Sequence, residues 1–130
     1  FLVMKMRENT FSNNCGIFTG SAGSSQIILG SSGTTKFQNP SLTGYTYRKN
    51  GIEYAQTDLQ APMNTWAVVH VRYTTGWPLS GSDFQFGKDR NTAGTFAEMD
   101  LGEVIVYSGL QPTSNVREIT EYLTTKWGIL

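Results

Sequence analysis

Three carboxylates stand at the start of a strand-like segment, in the stretch FAEMDLGEVIVYSG (96–109). Glu98 and Asp100 are two residues apart, so an extended chain points both side chains to one face. Glu103 falls on the opposite face unless a β-bulge at Leu101–Gly102 resets the alternation. With that bulge all three acids share a face. Two carboxyl groups about 5–5.5 Å apart on one face are the arrangement that a retaining glycosidase uses.

The chain offers few other groups for catalysis or metal binding. His70 is the only histidine and lies in an apolar run, which is more typical of a satisfied structural histidine than of a catalytic one. Cys15 is the only cysteine, so we expect no intrachain disulfide and a small buried side chain. Asp83, Asp89 and Asp100 are the candidates for a Ca²⁺ site, because hard cations take carboxylate oxygens. No other cofactor is expected, since the sequence lacks a nucleophile elbow, a metal-ligand pair and a phosphate loop.

Aromatic side chains in strands and loops are the remaining candidates for a binding site, because a flat ring beside polar groups can stack on a sugar. Tyr45 and Tyr47 are two residues apart and share a face, and Trp77 precedes a proline in a loop. Most aromatic residues are expected in the core. We therefore take Tyr45, Tyr47 and Trp77 as the glycan-binding candidates.

Size and charge favour one domain that covers residues 1–130. Ten Lys and Arg residues against ten Asp and Glu residues give a formal charge of zero, so no nucleic-acid partner is expected. The longest apolar runs, such as QIIL and EVIVY, are far shorter than the roughly 20 residues that span a bilayer. No membrane partner is expected either.

The spacing of short β-branched and aromatic runs predicts an all-β domain. We predict strands at 1–6, 15–20, 25–30, 35–39, 43–49, 52–57, 65–74, 82–87 and 99–108. Asn50-Gly51 lies between two of these strands. It predicts a tight hairpin, because a type I′ turn needs positive φ at both central residues.

One segment departs from the strand pattern. Within VREITEYLTTKWGIL, apolar residues recur at helical spacing: Val116, Ile119, Leu123 and Trp127. We predict a helix over 114–126 that buries Leu123 and Trp127 against a sheet. Thr113 or Ser114 is the expected N-cap. The predicted architecture is two antiparallel sheets packed face to face, with this helix on one outer face or edge.

The C-terminal third resembles the laminin-G-like, concanavalin-A-like jelly rolls of bacteriophage structural proteins and bacterial surface proteins. The segments that carry the resemblance are FQFG (84–87), GEVIVY (102–107), Leu110 and YLTTKWGI (122–129). The resemblance implies a concanavalin-A-like jelly-roll β-sandwich, all-β apart from one C-terminal α-helix. It also implies further strands before FLVMKM, so that the sandwich is N-terminally incomplete or is completed by another chain.

The same resemblance implies a non-enzymatic structural protein of a bacteriophage virion, either a capsid decoration protein or a fibre or tail component, with a lectin-like fold that can bind glycans. The expected partners are other virion or surface subunits, in a homo-oligomer or a larger assembly, and the expected location is the virion. The alternative is a secreted or surface carbohydrate-binding module.

A second alternative is a small hydrolase. EMDLGE (98–103) resembles the bulged form of the Glu-x-Asp-x-Glu signature of family 16 glycoside hydrolases. That resemblance would make Glu98 the nucleophile and Glu103 the acid/base, with Asp100 holding the nucleophile in place. A chain of 130 residues leaves little to wall a sugar cleft, which favours the non-enzymatic interpretation.

Overall fold

The computed structural model of the chain describes residues 1–11, 14–20, 26–38, 44–73, 84–88 and 96–129. Within these ranges the chain forms ten strands and one helix. They are β1 (Leu2–Met6), β2 (Cys15–Gly20), β3 (Gln26–Gly30), β4 (Lys36–Gln38), β5 (Tyr45–Lys49), β6 (Ile52–Tyr54), β7 (Leu59–Gln60), β8 (Ala67–Tyr73), β9 (Phe84–Phe86), β10 (Met99–Val104) and α1 (Thr113–Trp127).

The strands form two antiparallel sheets of five strands each. The first sheet has the spatial order β10-β1-β8-β5-β6, and the second has the order β7-β4-β3-β2-β9. Side chains alternate between the two faces of each sheet, and one face of each sheet packs in a shared core. The buried residues of this core include Met4, Ile17, Phe37, Tyr47 and Val69. The predicted all-β sandwich with one C-terminal helix is confirmed at this level, while the jelly-roll connectivity stays a prediction.

β1 is an interior strand of the first sheet. It pairs with β8 on one side and with β10 on the other, so that Leu2 lies between Val69 and Val104. Its inner face packs in the sandwich core, while on its outer face Val3 packs with Leu123 of α1. A strand covered on both faces is apolar at consecutive positions, which explains the apolar start of the chain.

The predicted hairpin at Asn50-Gly51 is confirmed. Both residues have positive φ, of 50° and 82°, as a two-residue hairpin turn of the primed type requires. Asn50 also joins the turn to β8. Its backbone N–H donates to the Val68 carbonyl at 2.9 Å, and its side-chain Oδ1 accepts from the Val68 N–H at 2.8 Å.

The helix α1 begins without a side-chain cap. Pro112 is the N-cap residue, and its carbonyl accepts a hydrogen bond from the Val116 N–H at 3.1 Å. The predicted capping by Thr113 or Ser114 is wrong, because the helix begins at Thr113 and both residues lie in its first turn. Proline is suited to this position because it has no N–H to leave unsatisfied and a fixed φ.

The buried stripe of α1 is rotated relative to the prediction. Val116, Thr120 and Leu123 are buried, whereas Trp127 keeps 36% of its surface exposed. Thr120 occupies a buried position without penalty because its hydroxyl donates to the Val116 carbonyl at 2.7 Å. The prediction of a buried Leu123 is confirmed, and that of a buried Trp127 is wrong.

Gly128 and Ile129 end the helix α1 by donating hydrogen bonds to its last turn. Gly128 adopts the left-handed conformation with φ of 61°. The Gly128 N–H donates to the Thr125 carbonyl at 3.3 Å, and the Ile129 N–H donates to the Thr124 carbonyl at 2.8 Å. This is a Schellman motif, and it turns Ile129 back into the cluster that contains Leu123.

Candidate functional site

Of the two alternatives that the sequence left open for the acids of β10, the structure has the one with a bulge. Glu103 lies opposite Val3 and Leu101 lies opposite Met4, so Gly102 is the extra residue. The alternation of side chains resets there, and the acids on either side of the bulge point to the same face. That face is the outer one, on which Val3 packs with Leu123 of α1.

The bulge residue Gly102 packs closely against Trp127, the last residue of α1. A Cβ on Gly102 would lie 2.7 to 2.9 Å from three ring carbons of Trp127. The Trp127 ring also packs on Trp66, with centroids 5.5 Å apart, and its Nε1 donates to Glu103 Oε2 at 3.0 Å. The Lys126 ammonium donates to the same oxygen at 2.9 Å. Glu103 is therefore tied to the end of the helix by two donors.

Asp100 is held by two cations of β1 and the turn that follows it. Lys5 Nζ lies 3.0 Å from Asp100 Oδ2, and Arg7 Nε donates to Asp100 Oδ1 at 2.7 Å. The hydrogen bonds from Arg7 and then from Lys5 lower the pKa of Asp100. The side chain of Glu98, the third acid, is exposed.

The acids fit ion pairing better than hydrolysis. The hydrogen bond from Trp127, and then that from Lys126, lower the pKa of Glu103. A general acid needs the opposite shift, so that it is protonated near neutral pH. Glu103 is engaged by Lys126 and Trp127 at the end of α1, and Asp100 is engaged by Lys5 and Arg7. This arrangement gives no support to the hydrolytic reading of Glu98, Asp100 and Glu103.

The Ca²⁺ candidates are only partly within the described residues, since Asp83 and Asp89 lie outside them. Both carboxylate oxygens of Asp100 already contact cationic side chains, Lys5 and Arg7. Within the described ranges, no group of three His, Cys, Asp or Glu side chains is arranged to hold a metal ion.

Two of the three glycan-binding candidates are core residues. Tyr45 is 7% exposed and Tyr47 is 1% exposed. The Tyr47 hydroxyl donates to the Gln60 carbonyl at 2.8 Å, and burial raises its pKa. A buried ring has no free face on which a sugar can stack, so both tyrosines have a packing role. Trp77 lies outside the described residues.

A polar cluster on the outer face of β5 and β8 was missed by the sequence analysis. Thr46 lies opposite Arg72, and Arg48 lies opposite His70. Each of these four residues, called here the basic cluster, has a buried polar atom without a hydrogen-bond partner in the described part of the chain: Thr46 Oγ1, Arg48 Nη1, His70 Nδ1 and Arg72 Nε. Buried polar atoms normally have partners, so neighbouring orphans mark a place for a polar ligand or partner.

His70 is the most buried member of the basic cluster, at 5% exposure. Its ring stacks on Phe1, with centroids 4.3 Å apart. Burial first, and then the positive charges of the Phe1 ammonium, Arg48 and Arg72, lower the pKa of His70 to about 3. The imidazole is therefore neutral at physiological pH. The side chain is buried, as expected of a structural histidine, and its Nδ1 has no hydrogen-bond partner among the described residues.

A cavity of about 620 Å³ opens beside the basic cluster. One wall is formed by residues 69–73 of β8, the other by residues 104–111, and Phe18 and Ile28 of the second sheet line its floor.

Phe1 and Ile105 line this cavity and exchange both backbone hydrogen bonds, at 2.8 and 2.9 Å. Beyond that level β8 continues to Tyr73, paired with β5 on its other side.

The last predicted strand is shorter in the structure. The sequence predicts a strand over 99–108, but β10 ends at Val104.

No helix among the described residues is long and apolar enough to cross a bilayer. Comparison with known proteins found no matching family model, no matching curated protein and no matching solved structure. The cavity and the basic cluster beside it form the candidate functional site.

Proposed function

We propose that this chain is a non-enzymatic β-sandwich domain that joins polypeptide subunits into a larger assembly through the apolar rim of the cavity. The observation that carries the proposal is the exposure of that rim, at 50% for Val106, 41% for Tyr107 and 57% for Leu110. Contiguous exposed apolar surface of this kind is typical of a protein–protein contact.

The proposed assembly is a virion, in which the chain is a capsid decoration protein or part of a fibre or tail. This part of the proposal is supported by the resemblance of residues 102–107 and 122–129 to bacteriophage structural proteins. Its partners are neighbouring virion subunits, including further copies of the chain.

A non-enzymatic role is supported by the state of the acids in β10. Asp100 and Glu103 are both engaged by cationic side chains, and both pKa values are lowered. Neither acid is poised to donate a proton near neutral pH.

Sedimentation velocity of the purified chain over a concentration series tests the proposal. We expect self-association that Val106→Asp weakens, because a carboxylate would be buried in the contact. Ile52→Asp is the matched control, since Ile52 is 62% exposed on the β5–β6 hairpin and does not line the cavity. Mass spectrometry of purified virus particles from the source should detect the chain.

A wild-type chain that stays monomeric at every concentration, and is missing from the particles, would overturn the assembly role. Release of reducing sugar from a β-glucan or galactan, abolished by Glu103→Gln, would overturn the non-enzymatic role.

A further inference from the structure

The Asn50-Gly51 turn combines a reactive pair of residues with a geometry that restrains them. Gly51 is exposed and has no side chain, so the backbone nitrogen that follows Asn50 is sterically accessible. We propose that Asn50 is a site of spontaneous deamidation, and that the reaction in the folded chain requires release of the Asn50 side chain from Val68. This inference is independent of the proposed function, because it concerns the β5–β6 hairpin and not the rim of the cavity.

The reaction needs only this turn and water. The Gly51 backbone nitrogen loses its proton to solvent and attacks Asn50 Cγ. The new C–N bond closes a five-membered succinimide ring, and the side-chain nitrogen leaves as ammonia. Water then opens the ring at one of its two carbonyl carbons. Opening at Cγ gives aspartate, and opening at the main-chain carbon gives isoaspartate, in which the backbone runs through the side-chain carbon. No oxidant, reductant or cofactor takes part.

The backbone of the folded turn is unsuited to ring closure. The φ values of 50° for Asn50 and 82° for Gly51 are those of a type I′ turn, which holds ψ of its first central residue near about 30°. A flat five-membered ring brings the Gly51 nitrogen level with Asn50 Cβ, and this needs ψ of about −120°, as in a type II′ turn. The peptide group between the two residues therefore has to flip. Glycine tolerates the flip because both signs of φ are open to it.

The Asn50 side chain is restrained as well. Its Oδ1 accepts from the Val68 N–H at 2.8 Å, and this bond fixes the position of Cγ. The turn also lies close to α1, since a Cβ on Gly51 would be 3.8 Å from Thr120 Cγ2. Attack on Cγ needs the side chain to leave β8, so the folded chain reacts only from a minor, locally opened state.

The two products differ in what they do to the hairpin. Aspartate keeps a side-chain oxygen that can accept from the Val68 N–H. Isoaspartate adds one methylene group to the backbone of the turn. Lys49 pairs directly with Ile52, so the two-residue turn has no spare residue to absorb the added length. The isoaspartyl product should therefore loosen the hairpin from β8.

Incubation of the purified chain at mildly alkaline pH, followed by peptide mapping with mass spectrometry, tests the inference. The chain unfolded in urea should deamidate at Asn50, and the folded chain should do so roughly 10- to 100-fold more slowly, because hydrogen bonds have to break first. Labelling by an isoaspartyl methyltransferase distinguishes isoaspartate from aspartate.

Hydrogen exchange at the Val68 amide measures the opening independently, because that N–H is free to exchange only when it has left Asn50 Oδ1. The ratio of the folded to the unfolded deamidation rate should not exceed the opening constant obtained from this exchange. Both quantities should rise together in urea concentrations below the unfolding transition.

Asn64 is the control within the same chain. It also has a positive φ, of 55°, but the β-branched Thr65 follows it and hinders its backbone nitrogen. Asn64 should keep its amide while Asn50 reacts. Asn50→Asp is the matched variant for the aspartyl product: its Val68 amide should exchange as in the unmodified chain, and the isoaspartyl fraction should exchange faster.

Four results would overturn the inference. An unfolded chain that keeps the Asn50 amide, or that loses the Asn64 amide equally fast, would exclude Asn50 as the preferred site. Equal rates in the folded and unfolded chains would exclude protection by the turn. A folded rate above the limit set by Val68 exchange would show that release from Val68 is not required. Unchanged Val68 exchange in the isoaspartyl fraction would exclude the loosening of the hairpin.

Discussion

Gly102→Ala tests whether the bulge of β10 packs against Trp127 at the end of α1. The added methyl carbon would lie 2.7 Å from one Trp127 ring carbon and 2.9 Å from two others. Ordinary carbon–carbon contacts are about 3.5–4.0 Å, so the indole would have to move by roughly 1 Å. That movement disturbs its hydrogen bond to Glu103 and its contact with Trp66.

Two opposing contributions set the magnitude. Overpacking of this kind typically costs about 1–3 kcal/mol. Replacing glycine by alanine also restricts the unfolded chain, which stabilises by about 0.4–1 kcal/mol where the backbone conformation is compatible. The expected net loss in unfolding free energy is therefore between about 0 and 2.6 kcal/mol. For a domain of this size that lowers Tm by up to roughly 10 °C.

A double-mutant cycle separates the clash from other effects of the alanine. In a Trp127→Ala background the ring is gone, so Gly102→Ala should become neutral or stabilising by up to about 1 kcal/mol. Urea denaturation followed by far-ultraviolet circular dichroism is the suitable assay, because tryptophan fluorescence changes with the mutation itself. Gly109→Ala is the matched control: no heavy atom lies within 4 Å of its Cβ position, and it should change stability by less than about 0.5 kcal/mol.

Equal effects of Gly102→Ala with and without Trp127 would refute this reasoning. It would mean that the indole does not rest on the glycine in solution. A loss as large in Gly109→Ala would point instead to a general cost of alanine at these glycines.

Three further predictions concern packing and pH. Leu123→Ala should cost about 2–5 kcal/mol in urea denaturation, whereas Tyr122→Ala, at a side chain that is 55% exposed, should cost little. The pKa of His70 is about 3 in the folded chain and about 6.5 when unfolded, so the unfolded state binds the proton first as pH falls. Unfolding free energy should therefore drop by up to about 1.4 kcal/mol per pH unit between about pH 6 and 3, and His70→Gln should flatten that slope. The lowered pKa of Glu103 stabilises the fold above about pH 4.3 and this contribution is lost on further acidification, so Glu103→Gln should reduce the fall of the urea midpoint there.

Locally determined features could be predicted from the sequence. The Asn50-Gly51 turn needs only its own backbone preferences, and it is present. The local pattern of acids and glycine left the bulge at Gly102 open as one of two alternatives, and the structure has it. The helix was predicted one residue short at each end, because capping by Pro112 has no side-chain signature.

Features that depend on distant pairing could not be predicted. β7 has two residues, Leu59–Gln60, and exists only because β4 lies beside it. The basic cluster arises because register places Arg48 opposite His70, whereas β5 and β8 taken separately read as ordinary amphipathic strands. Tyr45 and Tyr47 share a face as predicted, but only the packing of the two sheets shows that this face is the core.

The position of β1 between β10 and β8 has a consequence for how the chain folds. Residues at its start pair with Ala67–Val69 and with residues up to Val104, so both neighbours are synthesised long after it. The β2–β3–β4 meander of the second sheet, by contrast, joins strands that follow one another. Long-range pairing slows folding because the chain loses the entropy of closing a long loop before the contacts form that offset this loss. On the ribosome the apolar β1 therefore lacks its β8 partner until residue 69 has emerged and its β10 partner until residue 104 has emerged, and during that interval the nascent chain is most exposed to aggregation and to capture by chaperones.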